Sequence, residues 1–70
     1  MKLYNHTETE AFLVQQDKCG NMLITWKLGR GKSVFLQGDD ARSLEDDLEA
    51  CGDNDSKLSW VLSAYTDVMA

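Results

Sequence analysis

The sequence predicts an α+β domain in which a three-stranded antiparallel β-meander is followed by two α-helices (βββαα) packed on one sheet face. Hydrophobic side chains alternate with a period of two as far as Gln37, and beyond it they recur at helical spacing. The connections between the predicted strands are short, which favours antiparallel neighbours. We therefore expect residues 1–70 to form one compact domain, with residues 1–9 as a short strand or a flexible arm.

Three segments have the composition of strands. Residues 11–17 (AFLVQQD) contain aromatic and β-branched side chains, and residues 33–37 (SVFLQ) resemble them. Residues 22–28 alternate strictly. Between the strands, 18–21 (KCGN) and 29–32 (GRGK) have turn chemistry, because Gly and Asn tolerate a positive φ. The side chains expected to point at the helices are Phe12, Val14, Met22, Ile24, Trp26, Leu28, Val34 and Leu36.

Two helices are expected after Gln37. Gly38 or Asp39 can cap the first helix, and Gly52 stands where a glycine ends it. Asp55 or Ser56 can cap the second. The apolar stripe of the first helix is Ala41, Leu44, Leu48 and Cys51. That of the second is Leu58, Val61, Leu62, Tyr65 and Met69.

Composition excludes several classes of protein. The longest uninterrupted apolar run, 11–14, is far too short to span a membrane, and the chain does not open with a signal peptide. Cys19 and Cys51 are too few for a disulfide framework, although one bridge between them remains an alternative. We expect a cytoplasmic protein with free thiols.

The segment LGRGKSV (28–34) resembles a phosphate-binding loop only superficially. A Walker A loop needs a glycine five residues before its Gly-Lys pair, and that position holds Trp26. The loop must also lead into a helix, whereas a strand is predicted here. We interpret it as a hairpin turn in which Gly29 and Gly31 supply the positive φ.

The remaining motifs indicate no catalytic, metal or cofactor site. DNDSK (53–57) begins like a calcium loop, but Lys57 replaces an oxygen ligand and Leu58 replaces the required glycine. His6, Cys19 and Cys51 lack zinc spacing. A base beside a Ser or Cys nucleophile is not evident, and a domain of this size rarely encloses a substrate pocket. We predict a protein that is not an enzyme and has no cofactor.

The second face of the sheet is partly apolar. If the helices cover one face, a set of side chains points away from them, and two helices joined by a short link usually lie on the same side. We predict that this set forms a self-association face that makes the protein a homodimer. Two alternatives would remove it: a bulge that shifts one strand, or residues 1–9 folded across it. The predicted self-association residues are Leu13, Leu23, Thr25 and Phe35.

Charge is distributed unevenly along a chain of net charge −5. Residues 38–55 hold eight acids against Arg42. The acidic helix admits three interpretations: a solvated outer face, a surface for a basic partner, or a mimic of a nucleic-acid backbone. Trp60 points away from the apolar stripe of its helix and is a candidate contact, the alternative being a ring folded over a neighbouring loop. The predicted partner contacts are Asp39, Asp40, Glu45, Asp46, Asp47, Glu49 and Trp60.

These features favour binding over chemistry. Small acidic chains of this kind resemble, in size and charge alone, accessory proteins of phages and other mobile elements, many of which block host nucleic-acid-processing or defence proteins in an anti-CRISPR-like manner. We therefore expect an inhibitor that acts by stoichiometric binding to a larger protein. The alternative is a self-assembling structural protein. A third candidate is a weak nucleic-acid binder through the basic hairpin of Lys27, Arg30 and Lys32, although three cations are few for firm phosphate binding.

Overall fold

Four antiparallel strands in sequential order, β1-β2-β3-β4, form the sheet of this α+β protein. The computed structural model describes residues 2–29 and 32–69, and side chains as far as Thr66. The strands are β1 (Tyr4–Glu8), β2 (Phe12–Gln16), β3 (Met22–Trp26) and β4 (Ser33–Leu36), and the helices are α1 (Gly38–Cys51) and α2 (Asp55–Met69).

The core lies between the sheet and the two helices, as the two hydrophobic periods predict. Alternate side chains of β2 and β3 are buried, and α1 buries the predicted stripe with Cys51 packed at its margin. On α2, Leu58 and Leu62 are buried, and Val61 and Tyr65 pack against them. The side chain of Met69 lies outside the described residues. The buried apolar residues are Phe12, Val14, Met22, Ile24, Leu36, Ala41, Leu44, Leu48, Leu58 and Leu62.

The prediction of three strands is wrong by one, because residues 4–8 add a fourth strand beside β2. Its sequence, YNHTE, carries no alternation of apolar and polar side chains. The register also shifts between Asn5 and Thr7, where a bulge leaves His6 unpaired. A half-polar, bulged edge strand gives no period-two signal, so the sequence could offer a strand in residues 1–9 only as an alternative to a flexible arm.

The third strand ends earlier than its alternation suggests. β3 stops at Trp26, and Leu28 is 70% exposed in the following turn rather than pointing at the helices. Trp26 itself is 39% exposed and is not among the buried residues of the core. The turn is closed by a hydrogen bond from the Gly29 N–H to the Trp26 carbonyl (3.1 Å).

Gly29 has a different role from the one predicted. Its φ is not positive, but a Cβ built on it would lie 1.9 Å from Cε3 of Trp26. The indole ring therefore occupies the space that any side chain at position 29 would need. Gly31 lies outside the described residues, so its predicted positive φ is not addressed.

Each helix is capped by the residue just before its predicted caps. Gln37 is the N-cap of α1, in an extended conformation and without a side-chain hydrogen bond. Asn54 precedes α2, where its Oδ1 accepts the Lys57 N–H (3.0 Å) and its carbonyl accepts the Leu58 N–H (2.9 Å). The prediction for the end of α1 is confirmed, since Gly52 adopts φ +59° there.

Candidate interaction surfaces

The outer face of the sheet, opposite the helices, is not covered by residues 4–8, because β1 lies beside β2 rather than across it. Its bulge leaves the register of the other three strands regular. The face consists of two cross-strand rows. One row is Asn5, Gln15, Leu23 and Phe35, and the other is Glu8, Leu13, Thr25 and Ser33.

The self-association residues lie together on this outer face. Leu23 is directly opposite Phe35, and Leu13 is opposite Thr25. Leu13, Leu23 and Thr25 are half-buried, and Phe35 is 41% exposed. Apolar contact area is therefore concentrated at the β3–β4 side, whereas the β1 side carries polar groups.

Lys27 of the basic hairpin is exposed but already has partners within the domain. Its ammonium donates to the Glu8 carboxylate and to the carbonyl of Thr9 (2.9 Å). Lys32 is exposed. Arg30 lies outside the described residues, so the structure does not show a set of three cations presented together.

The acidic residues of α1 divide into internal and outward-facing groups. Glu45 is half-buried, where it accepts a hydrogen bond from Gln16 Nε2 (3.0 Å) and lies 4.0 Å from His6 Nε2. Asp47 accepts a hydrogen bond from the hydroxyl of Tyr65 (2.8 Å). Both carboxylates therefore connect different elements of the domain. The sequence does not indicate this role, because the hydrogen-bonded residues are far apart in the chain. The exposed acids of α1 are Asp39, Asp40, Asp46, Asp47 and Glu49.

Tyr65 fixes the arrangement of the two helices. Its hydroxyl also contacts Ser43 Oγ (3.0 Å), so α2 runs antiparallel beside α1. Partial burial is the largest cause that raises the pKa of Tyr65; the hydrogen bond with Ser43 opposes it, and the hydrogen bond with Asp47 and the negative charges of Asp47 and Asp40 add to the rise. The phenol therefore remains protonated and able to donate well above neutral pH.

Trp60 is the most exposed large hydrophobic side chain of the described residues, with 75% of its surface accessible. It lies two residues from both Leu58 and Leu62, which are buried, so helical geometry directs its ring away from the sheet. Trp60 precedes Tyr65 by about 7.5 Å along α2. Along the helix axis this is level with the C-terminal half of α1, where Asp46 and Glu49 are exposed.

We name this composite the helical surface: Trp60 together with Asp39, Asp46 and Glu49. The three acids recur at i, i+7 and i+10 and are all exposed on the side of α1 away from Leu44. Arg42 follows the same ridge. Exposed indole rings and exposed carboxylates are side chains through which proteins commonly contact their partners.

Glu49 opposes the helix dipole. It lies in the last turn of α1, at the negative C-terminal pole, and that turn holds no basic residue. A carboxylate there is unfavourable by about 0.3–1 kcal/mol. Helix stability alone therefore does not account for the presence of Glu49.

One depression lies between the β2–β3 turn and α1. This depression of about 200 Å³ is lined by Cys19, Gly20, Gly38, Arg42 and Glu45, smaller than a typical small-molecule site. Within the described residues no cluster of three His, Cys, Asp or Glu side chains could hold a metal ion. Cys19 and Cys51 are free thiols rather than a bridge. Neither described helix combines the length and apolar composition needed to cross a bilayer.

Comparisons with protein-family models, with curated proteins and with solved structures found no match to this chain.

Proposed function

We propose that this protein is a small cytoplasmic protein-interaction module that binds a larger protein stoichiometrically and inhibits it by occlusion. The observation that carries the proposal is Trp60, an indole ring that is 75% exposed on a helix whose core positions are already filled. Burying a tryptophan on a partner recovers a large hydrophobic contribution, and tryptophan is among the residues most enriched at binding hot spots.

Charge defines the partner expected at the helical surface. Asp39, Asp46 and Glu49 would meet a basic surface, and their field would accelerate encounter at low ionic strength. The partner should combine Lys or Arg side chains with an apolar pocket for the indole. Nucleic-acid-processing and defence proteins of a host carry such basic surfaces, so they are the class of target that we propose.

Affinity capture with variants of the helical surface tests this function. We expect wild-type protein to retain one dominant partner in a salt-sensitive, one-to-one complex. Trp60→Ala should bind the partner at least tenfold more weakly. The triple variant Asp39→Asn/Asp46→Asn/Glu49→Gln should also bind more weakly, and its affinity should depend less on salt concentration. The measurement is titration calorimetry with the purified partner.

Leu28→Ala is the matched control, because Leu28 is 70% exposed but lies in the turn after β3. It should bind like wild type. Undiminished binding by Trp60→Ala would contradict the proposed anchor, and recovery of the bait alone would contradict a heterologous target.

A second candidate, self-assembly without another target, is favoured by the uncovered outer sheet face. The apolar pair Leu23 and Phe35 lies there without cover from the helices. A self-assembling protein and a homodimeric inhibitor both require self-association. In either case, light scattering should show a dimer at high protein concentration. A wild-type protein that stays monomeric at every concentration would exclude both.

A further inference from the structure

The free edge of β4 exposes a defined set of backbone groups. The Trp26 N–H donates to the Lys32 carbonyl (2.9 Å), so Trp26 and Lys32 form a hydrogen-bonded pair. The pair Ile24–Val34 follows two residues further along the same two strands. Hydrogen-bonded and non-hydrogen-bonded pairs alternate along an antiparallel ladder. Val34 and Leu36 therefore direct their N–H and C=O groups at β3.

Ser33 and Phe35 consequently direct theirs away from the sheet. Neither has a backbone hydrogen-bond partner elsewhere in the stretches 2–29 and 32–69. Gln37 continues the edge, because its φ of −131° and ψ of 159° are those of a strand. Three outward-facing residues thus form an open edge, which we name the β4 edge: Ser33, Phe35 and Gln37.

The two edges of the sheet differ in their protection against pairing. β1 carries a bulge at His6 and a charged residue, Glu8, both of which discourage strand addition. β4 has the sequence SVFL, without charge, proline or an interruption of its register with β3. Its composition favours strand pairing, so the β4 edge is the one suited to another strand.

We propose that the β4 edge pairs antiparallel with the β4 edge of a second copy, about a two-fold axis at Phe35, to form an eight-stranded sheet. Phe35 then exchanges two backbone hydrogen bonds with its equivalent, and each Ser33 exchanges two with Gln37 of the other copy, whose carbonyl accepts the Ser33 N–H through the lone pair that the first turn of α1 leaves free. The proposal specifies the self-association included under the proposed function, and it is independent of the helical surface.

The side chains suit this register. Opposite residues in an antiparallel pair point to the same face, so the two Phe35 rings meet on the outer face beside both Leu23 side chains. Lys32 of one copy comes to lie opposite Gly38 of the other, one residue from Asp39. Opposite charges therefore approach at both ends of the new pairing, although each chain is acidic overall.

The helices leave room for the second copy. Strands lie about 4.8 Å apart and packed helices about 8–10 Å apart, so two helices cover four strands without extending far beyond the edge. Val34, whose side chain faces the helices, is only half-buried. Apolar surface therefore remains at the boundary where the second β4 would lie.

A proline substitution in the β4 edge tests whether dimerisation can be lost while the monomer stays folded. Ser33→Pro removes an N–H that is unused within the monomer and should convert a dimer into a folded monomer by light scattering, with circular dichroism unchanged. Leu13→Glu is the matched control, since Leu13 lies on the outer face two strands from the β4 edge. It should remain dimeric. A dimer abolished by Leu13→Glu but not by Ser33→Pro would overturn edge pairing in favour of stacked faces.

Oxidative crosslinking tests the register without requiring a proline. In a Cys19→Ser/Cys51→Ser background, Phe35→Cys should form a disulfide with itself, because Cα atoms of a hydrogen-bonded pair lie about 5.5 Å apart. Ser33→Cys should crosslink with Gln37→Cys in a mixed sample but not with itself. Crosslinking of Ser33→Cys with Phe35→Cys, or no crosslink of Phe35→Cys, would overturn the proposed axis. If the predicted crosslinks form but the protein binds no other protein, the result would contradict only the proposed function.

Discussion

At the scale of single residues, the contact between Gly29 and Trp26 is the tightest constraint in the turn after β3. A methyl group at position 29 would overlap the indole ring. We predict that Gly29→Ala displaces this ring and destabilises the protein by about 1–3 kcal/mol, as overpacking does elsewhere. Thermal unfolding measures the stability, and a red shift of Trp26 emission in a Trp60→Phe background reports the displaced ring.

The double variant Trp26→Ala/Gly29→Ala provides the control for this prediction. If the overlap is the cause, Gly29→Ala should lower the free energy of unfolding only slightly once the Trp26 ring is absent. The losses of stability from the two single substitutions should therefore not add up in the double variant. Additive losses would instead indicate that the turn requires the backbone freedom of glycine.

Asp17 organises the turn between β2 and β3. Its carboxylate accepts hydrogen bonds from the Asn21 side chain (2.9 Å) and from the N–H groups of Asn21 (3.0 Å) and Cys19 (2.9 Å). The hydrogen bond from the Asn21 side chain is the largest cause lowering the pKa of Asp17, and the backbone donors add to it. The ionised form is therefore stabilised in the native state.

A lowered pKa fixes the direction of the pH effect. The contribution of Asp17 to stability is present above its unfolded-state pKa and is lost as pH falls through the lower native value. We predict that Asp17→Asn is less stable than wild type at neutral pH, and that this difference shrinks in acid. Denaturant unfolding at several pH values measures it. The control is Asp53→Asn, an exposed change in the link between the two helices. A stability difference for Asp17→Asn that is constant with pH would contradict the assignment.

At the scale of elements, α1 carries carboxylates at both of its poles. Asp39 suits the positive N-terminal pole, whereas Glu49 opposes the negative C-terminal pole. We predict that Glu49→Lys stabilises the protein by about 0.3–1 kcal/mol and at the same time weakens partner binding. Urea unfolding measures the first effect and calorimetry the second.

A charge reversal at the N-terminal pole of α1 is the matched control for Glu49→Lys. Asp39→Lys should destabilise α1 by a similar amount, because it places a cation where the dipole favours an anion. Stabilisation by both reversals would instead mean that relief of net negative charge, rather than the helix dipole, dominates.

The elements that the sequence predicts well are those with a single, uninterrupted period. The alternation of β2 and β3 and the stripe of α1 each place a complete apolar set against the core, so tertiary packing and local pattern agree. The prediction fails where one turn interrupts the pattern. Leu28 continues the alternation of β3 in sequence, yet the turn closed by Gly29 removes it from the sheet.

The helix caps and the β1 edge depend on features that the pattern does not encode. Several residues before α2 can cap it, and the backbone conformation selects Asn54 among them. The same holds for the candidate surfaces. Helical geometry predicts that Trp60 points outward, but the contacts of Glu45 with Gln16 and of Asp47 with Tyr65 join residues far apart in sequence. They appear only once the chain is folded.

At the scale of the whole molecule, the core is small, and its stability depends on a few fully buried side chains. A domain of this length has a total stability of about 4–10 kcal/mol. Leu44 is completely buried at the centre of the core. We predict that Leu44→Ala costs about 2–5 kcal/mol and leaves a substantial unfolded fraction. Urea unfolding followed by circular dichroism measures the loss.

Leu28→Ala is the corresponding surface control and should change stability by less than about 0.5 kcal/mol. Comparable losses in the two variants would mean that Leu28 is buried in solution and that the turn after β3 packs differently.

The sequential strand order has a kinetic consequence. Each strand pairs with the next one along the chain, and α2 returns directly beside α1, so closing contacts requires only short loops. Such a low contact order favours folding within milliseconds, without a slow step from proline isomerisation because the chain contains no proline. A newly synthesised copy would therefore fold almost as soon as translation ends, and under the proposed function it could occupy its target without delay.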